Sequence, residues 1–468
     1  MNAALGPFVA GLVGQERAKL MGVVTSYALV LVFSHAAFGA VTFQDVAPIL
    51  EMHCAGCHQA GEIGPMPLTT YAQVRPWAKA IKQAVIEGVM PPWHADRVTS
   101  QRFLNSRLLK ESEIRMLAEW ADSGAREGPA GGVPIHPIQE ATEGWKLGKP
   151  DLVIRVPGAK IPASGTFEYT FLVTPVDVPA DTWISAAEWK VDQRAVVHHM
   201  NAFLRPPGSS FVANVEPGQL YVPTRDERAA RHSNEREVDR RELLIGYEPG
   251  YKPANWGDGR AKLMHKGGSV VFEIHYNPNG KPVKDYSELG IYFAKQPPRE
   301  RVLTITPADA GLTIPPGSAS YASHVTATLT HEVKLVSLQP HMHLRGKAFE
   351  ITAVYPDGRR DTLLRVPRYD FNWQTTYFLS KPIVLPKGAV LDYIATFDNS
   401  VNNRHNPDPA KTVYWGDQSW DEMNVGFTEL AFDATADPDV AVLSGTTRPG
   451  GISKPSSDSS KPSGTSKH

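Results

Sequence analysis

Cysteine is almost absent from this sequence. Two residues in 468 leave no room for a disulfide framework, so any β domains must be held by packing alone. A charge excess is also missing, since 48 Lys and Arg stand against 49 Asp and Glu. That balance gives no electrostatic footprint for a nucleic-acid partner or an anionic membrane surface. The one long apolar run, residues 22–34, is short for a spanning helix. It follows Arg17 and Lys19 and precedes small residues near Ala37 and Gly39, so it reads as a signal peptide cleaved near Gly39 or Ala40. Met21 is an alternative start, and membrane association is expected only if the segment stays uncleaved. With 42% hydrophobic and 21% charged residues there is ample material for cores, and the length calls for two or three domains.

Both cysteines fall in Cys54-Ala55-Gly56-Cys57-His58. This is the spacing at which two thiols bond the vinyl groups of one covalent c-type haem while the adjacent His binds its iron. Covalent haem attachment takes place outside the bacterial cytoplasm, so motif and signal segment agree on a periplasmic or otherwise exported protein. Met90, in Val89-Met90-Pro91-Pro92-Trp93, is the preferred second axial ligand, since two prolines stiffen its loop. Met66, in Gly64-Pro65-Met66-Pro67, competes for that role, whereas Met52 and Met116 fall in helical patterns and read as packing residues.

From 41 to 124 the pattern is helical. Phe43, Val46, Ile49 and Leu50 recur at helical spacing and lead into the haem motif. Pro76 suits a first turn, Trp77, Ile81, Ala84 and Val85 form an apolar face, and Gly88 suits the end. A further helix carries Ile114, Leu117, Ala118 and Ala121, capped by Ser112 and stopped by Gly124. Residues 125–144, rich in Gly and Pro, read as a linker. Beyond them, Val-, Ile-, Thr- and Tyr-dense runs such as Phe167–Val173, Ser269–Tyr276 and Val390–Phe397 read as strands. The Pro-rich break at 296–301 divides them into two sandwiches. The expected architecture is therefore a small all-α cytochrome c domain (41–124) followed by two all-β, jelly-roll-like sandwiches (145–300 and 301–435). Residues 224–242 read as a solvated insertion, and 436–468, especially from Ser444, as a disordered tail.

Histidine supplies the remaining chemistry. Val196-Val197-His198-His199-Met200 sets two imidazoles side by side, and both reach one metal only if the strand bulges or turns there. His275 lies in the alternating run Phe272-Glu273-Ile274-His275-Tyr276. His341 and His343, at spacing two, face the same side of a strand. Met423, in Asp421-Glu422-Met423-Asn424, puts a thioether in a polar turn.

In order and approximate spacing, these strings resemble the copper type II, ascorbate-dependent monooxygenases, the family of peptidylglycine α-hydroxylating and dopamine β-monooxygenases. The resemblance covers about residues 150–432. It implies two coppers on two neighbouring sandwiches: His198, His199 and His275 at the copper that accepts and passes on electrons, and His341, His343 and Met423 at the copper that binds dioxygen and hydroxylates substrate. A thioether favours Cu(I), which suits the second assignment. The implied activity is hydroxylation of a small organic substrate by dioxygen. Electrons would come from an external donor, an ascorbate-like reductant or a redox protein, with the fused haem as a route through the three-His copper. Gln339 and Phe427 stand where the peptide enzyme has an Arg and a Tyr for its substrate, so glycine-extended peptides are poor guesses. Arg345 is the nearest other cation, provided the strand continues through Leu344. The rival reading is a haem and copper electron-transfer or copper-binding protein that hydroxylates nothing.

Overall fold

The computed structural model describes residues 40–129, 135, 144–165, 168–212, 215–224, 242–248, 250–257, 259–416, 418–436 and 442–447. The apolar run at 22–34, Phe167, most of the 125–144 stretch and nearly all of the charged 224–242 stretch lie outside them. Among the described residues no helix is long and apolar enough to cross a membrane.

Most of the protein is β. Four α-helices, Phe43–His53, Tyr71–Val74, Ala78–Ile86 and Glu111–Asp122, precede the strands. They enclose a core of Phe43, Val46, Leu50, Val74, Ile81, Val85, Leu117 and Trp120. The first helix buries its expected stripe and ends at His53, one residue before Cys54, while Gly88 and Gly124 adopt φ of +66° and +89° beyond the third and fourth helices. Three details differ from the sequence reading. Trp77 is 42% exposed because it lies in the 3-10 turn just before the helix Ala78–Ile86, and Met52 is 68% exposed because it falls off the apolar stripe of Phe43–His53. The N-cap of the last helix is Lys110, whose backbone N–H donates to Glu113, leaving Ser112 inside the helix.

The strands form two cores that share a sheet. A long sheet runs in the order Leu152–Arg155, Glu288–Phe293, Thr182–Lys190, Arg260–Met264, Glu300–Ile305, Val425–Asp433, Val333–His341, Tyr377–Leu385. One five-stranded sheet, with Ser269–Tyr276 between Thr170–Pro175 and Val197–Arg205, shares a core with its first half. Another, with Val390–Phe397 between Gly346–Val354 and Tyr321–Leu329, shares a core with its second half. The break at 296–301 falls where one core gives way to the other, and the long sheet continues past it. Glu300 and Arg301 pair in parallel with Arg260 and Ala261, and the sheet continues across. Proline punctuation marks where the chain turns, whereas sheet continuity depends on a partner 40 residues earlier. Val442–Thr447 also departs from the expected tail, since it pairs antiparallel with His324–Leu329.

At this junction Lys262 is fully buried, with Nζ 3.3 Å from Glu242, 3.1 Å from Glu429, 2.7 Å from the Leu243 carbonyl and 2.5 Å from the Thr304 hydroxyl. Removing one partner of a buried ion cluster leaves uncompensated charge in a low dielectric. Lys262→Met is expected to destabilise the protein by about 3–5 kcal/mol, read from the denaturant midpoint.

The helical region is fastened to both cores rather than hung on a linker. Trp93, Ala95 and Phe103, on the stretch after Met90, enter the second core. Arg102 grips Asp361 with two hydrogen bonds of 3.0 and 2.7 Å, and Arg194 pairs with Glu62 at 2.6 Å. Arg368 donates to the Glu87 carbonyl at 2.9 Å. These ties fix the helical region that carries Cys54, Cys57 and His58 against the sheets.

Candidate metal centre and haem cavity

The strand Val197–Arg205 pairs regularly with Ser269–Tyr276 until His199 meets His275; the next pair is Val197 with Tyr276, so His198 is the extra residue of a bulge. That bulge lets neighbouring imidazoles face one point. The Nδ1 atoms of His198 and His275 lie 3.2 Å apart, as do those of His199 and His198. One ligand atom from each of the three residues falls within 4.8 Å of the others. Burial pushes the pKa of His198 down and that of His199 well down, and for His199 the surrounding imidazoles add to the effect. Neutral imidazoles are the form that binds a metal.

His341 ends its strand, and His343 follows before a turn at Leu344 and Arg345. Their rings are perpendicular with centroids 5.0 Å apart, and their Nε2 atoms face each other at 3.2 Å. The other nitrogens are committed. His343 Nδ1 lies 3.2 Å from the Asp421 carbonyl, which only accepts, so that nitrogen carries the proton. His341 Nδ1 lies 2.6 Å from Gln374 Oε1, and the Gln374 amide is oriented by donating to the Phe371 carbonyl. Two bare lone pairs therefore meet at 3.2 Å. Burial holds the pKa of His343 well below the ordinary imidazole value, so a proton there is disfavoured, and a cation between the two nitrogens resolves the repulsion.

Met423 lies two residues before Val425, the strand partner of His341. Its flanks are fixed. The buried Glu422 carboxylate accepts the backbone N–H groups of His343 and Arg345, and Asn424 donates to Ser323. Burial pushes the Glu422 carboxyl up to about 8 against those two amide bonds. Arg345 is not a substrate cation. The chain turns there, and the guanidinium is buried on Asn399 and the Trp420 carbonyl.

The two histidine groups are contiguous, which their sequence separation did not show. Tyr169 stacks on His275 at 4.8 Å and reaches His343 at 6.4 Å. Phe371 lies 5.8 Å from His198 and 5.9 Å from His343. Neither aromatic carries a sequence pattern that would mark it. Gln374 was equally hidden, being an amide in a polar loop. Replacing it with Leu removes the group that fixes the His341 tautomer. Gln374→Leu is expected to weaken metal binding at the His341–His343 pair by roughly 10- to 100-fold in a chelator competition titration.

Cys54, Cys57 and His58 open onto a cavity of about 1020 Å³, which Met66 and Met90 also line. Its lining also includes the strand residues Asn201, Gly246, Gln339 and Phe427 and the loop residue Trp373. His58 Nδ1 lies 3.1 Å from the Met66 carbonyl, which leaves Nε2 for a ligand role. Burial raises the Cys54 thiol to about 12, so it stays protonated.

No protein-family model matches the chain. No curated protein matches it either. Among solved structures it is weakly similar to infectious bursal disease virus of the Gt strain, at 13% identity over 60% of each chain with a TM-score of 0.16. The VP2 subviral particle of that virus gives 14% identity and a TM-score of 0.17, over 60% of this chain and 59% of that one. The chain thus spans about 60% of the length of these neighbours, and scores this low carry no argument about function.

Proposed function

We propose that the protein is an exported copper-dependent monooxygenase with its own c-type haem, hydroxylating a small organic substrate. The observation that carries this reading is the five-histidine cluster. Its three converging Nδ1 atoms and two opposed Nε2 atoms suit bound cations, and Met423 lies two residues before Val425, the strand partner of His341. His198, His199 and His275 would hold one copper, and His341, His343 and Met423 the other. The cavity beside Cys54 and Cys57 is mostly apolar and suits a haem joined to both thiols, with His58 as one axial ligand.

Met90 is the better partner across such a haem. The Met66 carbonyl accepts from His58 Nδ1, so the Met66 backbone would help to orient His58, and Met90 would supply the second ligand. Copper at the Met423 position would supply dioxygen binding and C–H oxidation, and the haem one-electron reduction. The chain's part is to orient and to exclude water. Asp421 and Gln374 fix both tautomers, Glu422 clamps the turn after His343, and Tyr169 and Phe371 pack against both groups.

Gln339 is a support residue. Its Nε2 donates to the Gln374 carbonyl at 3.0 Å, and its Oε1 accepts from Thr376 at 3.0 Å, so it holds the loop that orients His341. With the Gln339 amide engaged and the Arg345 guanidinium turned away, a terminal carboxylate would meet neither group. Losing a charged partner typically costs about 2 to 5 kcal/mol. The test is anaerobic reduction of the copper- and haem-loaded protein, then dioxygen with a panel of aromatic amines, amides, small alcohols and a glycine-extended peptide. Oxygen incorporation into an uncharged member with little into the peptide is expected. Incorporation into none refutes the monooxygenase, and peptide turnover equal to the best substrate refutes the carboxylate argument.

A further inference from the structure

A continuous strand would face His341 and His343 to one side, but the strand ends at His341, and Met342 and His343 lie beyond it. Past a strand end no ladder fixes the chain, so the buried backbone polar groups of Met342 need other partners. One side chain supplies both. The Tyr369 hydroxyl accepts the Met342 N–H at 3.0 Å and donates to the Met342 carbonyl at 2.8 Å. In an antiparallel ladder a residue exchanges this same pair of bonds with the residue opposite it. The phenol thus stands in for a neighbouring strand at the one residue between the two histidines. Burial of the hydroxyl pushes its pKa up, so it keeps the proton that it donates.

Tyr369 is itself held in place. Its backbone N–H donates to the Lys347 carbonyl at 2.9 Å, and a Cβ on Gly346 would come within 2.7 Å of its ring, so glycine there leaves the ring its space. The Met342 side chain is fully buried in the second core. Met342 is therefore pinned through its side chain by the core and through its backbone by Tyr369.

We propose that Tyr369 is a positioning residue of the His341–His343 pair: by fixing the Met342 backbone it holds the two Nε2 atoms 3.2 Å apart, facing each other. This rests on the copper reading above. Tyr369 acts through the backbone and is not a ligand.

The test titrates Cu(I) against a cuprous chelator in full-length protein as isolated, kept anaerobic and reduced, with its histidines labelled with nitrogen-15. The imidazole resonances of each group then report that group's own occupancy. Tyr369→Phe keeps the ring and removes both hydrogen bonds. It is expected to weaken Cu(I) binding at His341 and His343 by roughly 10- to 100-fold, as loss of an orienting contact does, and to leave the His198, His199 and His275 group unchanged. Tyr377→Phe is the control, a buried tyrosine of the same core whose hydroxyl faces the backbone of His94 and Ala95. General loosening of the core would weaken the pair alike in both variants, and that outcome, or no loss in Tyr369→Phe, overturns the proposal. If Tyr369→Phe does not fold, amide hydrogen exchange in wild-type protein decides: the Met342 N–H is expected to be protected as strongly as its neighbours in the strand, and rapid exchange overturns the clamp. Wild-type protein that takes up no copper at His341 and His343 fails the underlying reading instead, which keeps the two failures apart.

Discussion

His343→Ala is expected to leave the protein with one bound copper instead of two and to lower dioxygen-dependent turnover by at least roughly a hundredfold. The estimate is a lower bound, because removing a group that merely orients a ligand already costs about 10- to 100-fold. His343 is also the residue whose tautomer is least ambiguous, since a backbone carbonyl cannot donate and so fixes the proton on Nδ1. His343→Gln serves as a volume control, as Tyr169 and Phe371 both pack near this ring. Met423→Ala should lose the same dioxygen chemistry while the His198, His199 and His275 group still takes up copper and an electron. Metal analysis with oxygen uptake checks both. Unchanged stoichiometry and uptake in His343→Ala would remove the pair from the site.

Serine in place of both Cys54 and Cys57 should convert the haem from covalently bound to freely extractable. Acidified acetone strips a haem that lacks thioether bonds and leaves a thioether-linked haem on the chain. The effect on the fold should be large as well. The cavity lies between the helices and the sheets, and loss of a haem bound there would leave its apolar walls unfilled. A ligand that binds only the folded state adds its binding energy to stability, so the haem-free variant should melt well below the loaded wild type. In the loaded protein, Met90→Ala should abolish the weak sulfur-to-iron absorption of the oxidised haem, and Met66→Ala should keep it. Release of haem from wild-type protein into the solvent would falsify the thioether reading.

Local patterns in the sequence carried far. The helix leading into Cys54, the strands Ser269–Tyr276 and Val390–Phe397, and the need for a bulge at His198-His199 follow from periodicity and side-chain direction alone, and the structure has each of them. The candidate ligands were also nameable, because a cysteine pair before a histidine and paired histidines are rare enough to stand out. Gln339 shows the limit. Its position suggested substrate contact, but its partners, Gln374 and Thr376, lie 35 and 37 residues later, so its role as a loop support was not legible.

The sequence by itself determined residue chemistry and short-range geometry: which segments are helix or strand, where a thioether or imidazole stands, and that no disulfide braces the β region. Tertiary structure alone decided that the two histidine groups adjoin across Tyr169 and Phe371, that one sheet runs through both β cores, and that His199 borders the haem-type cavity. The reason is physical. Periodicity reports which face a side chain takes on its own element, a matter of a few residues. Adjacency between elements is set by nonlocal strand pairing and packing, and no local pattern encodes it.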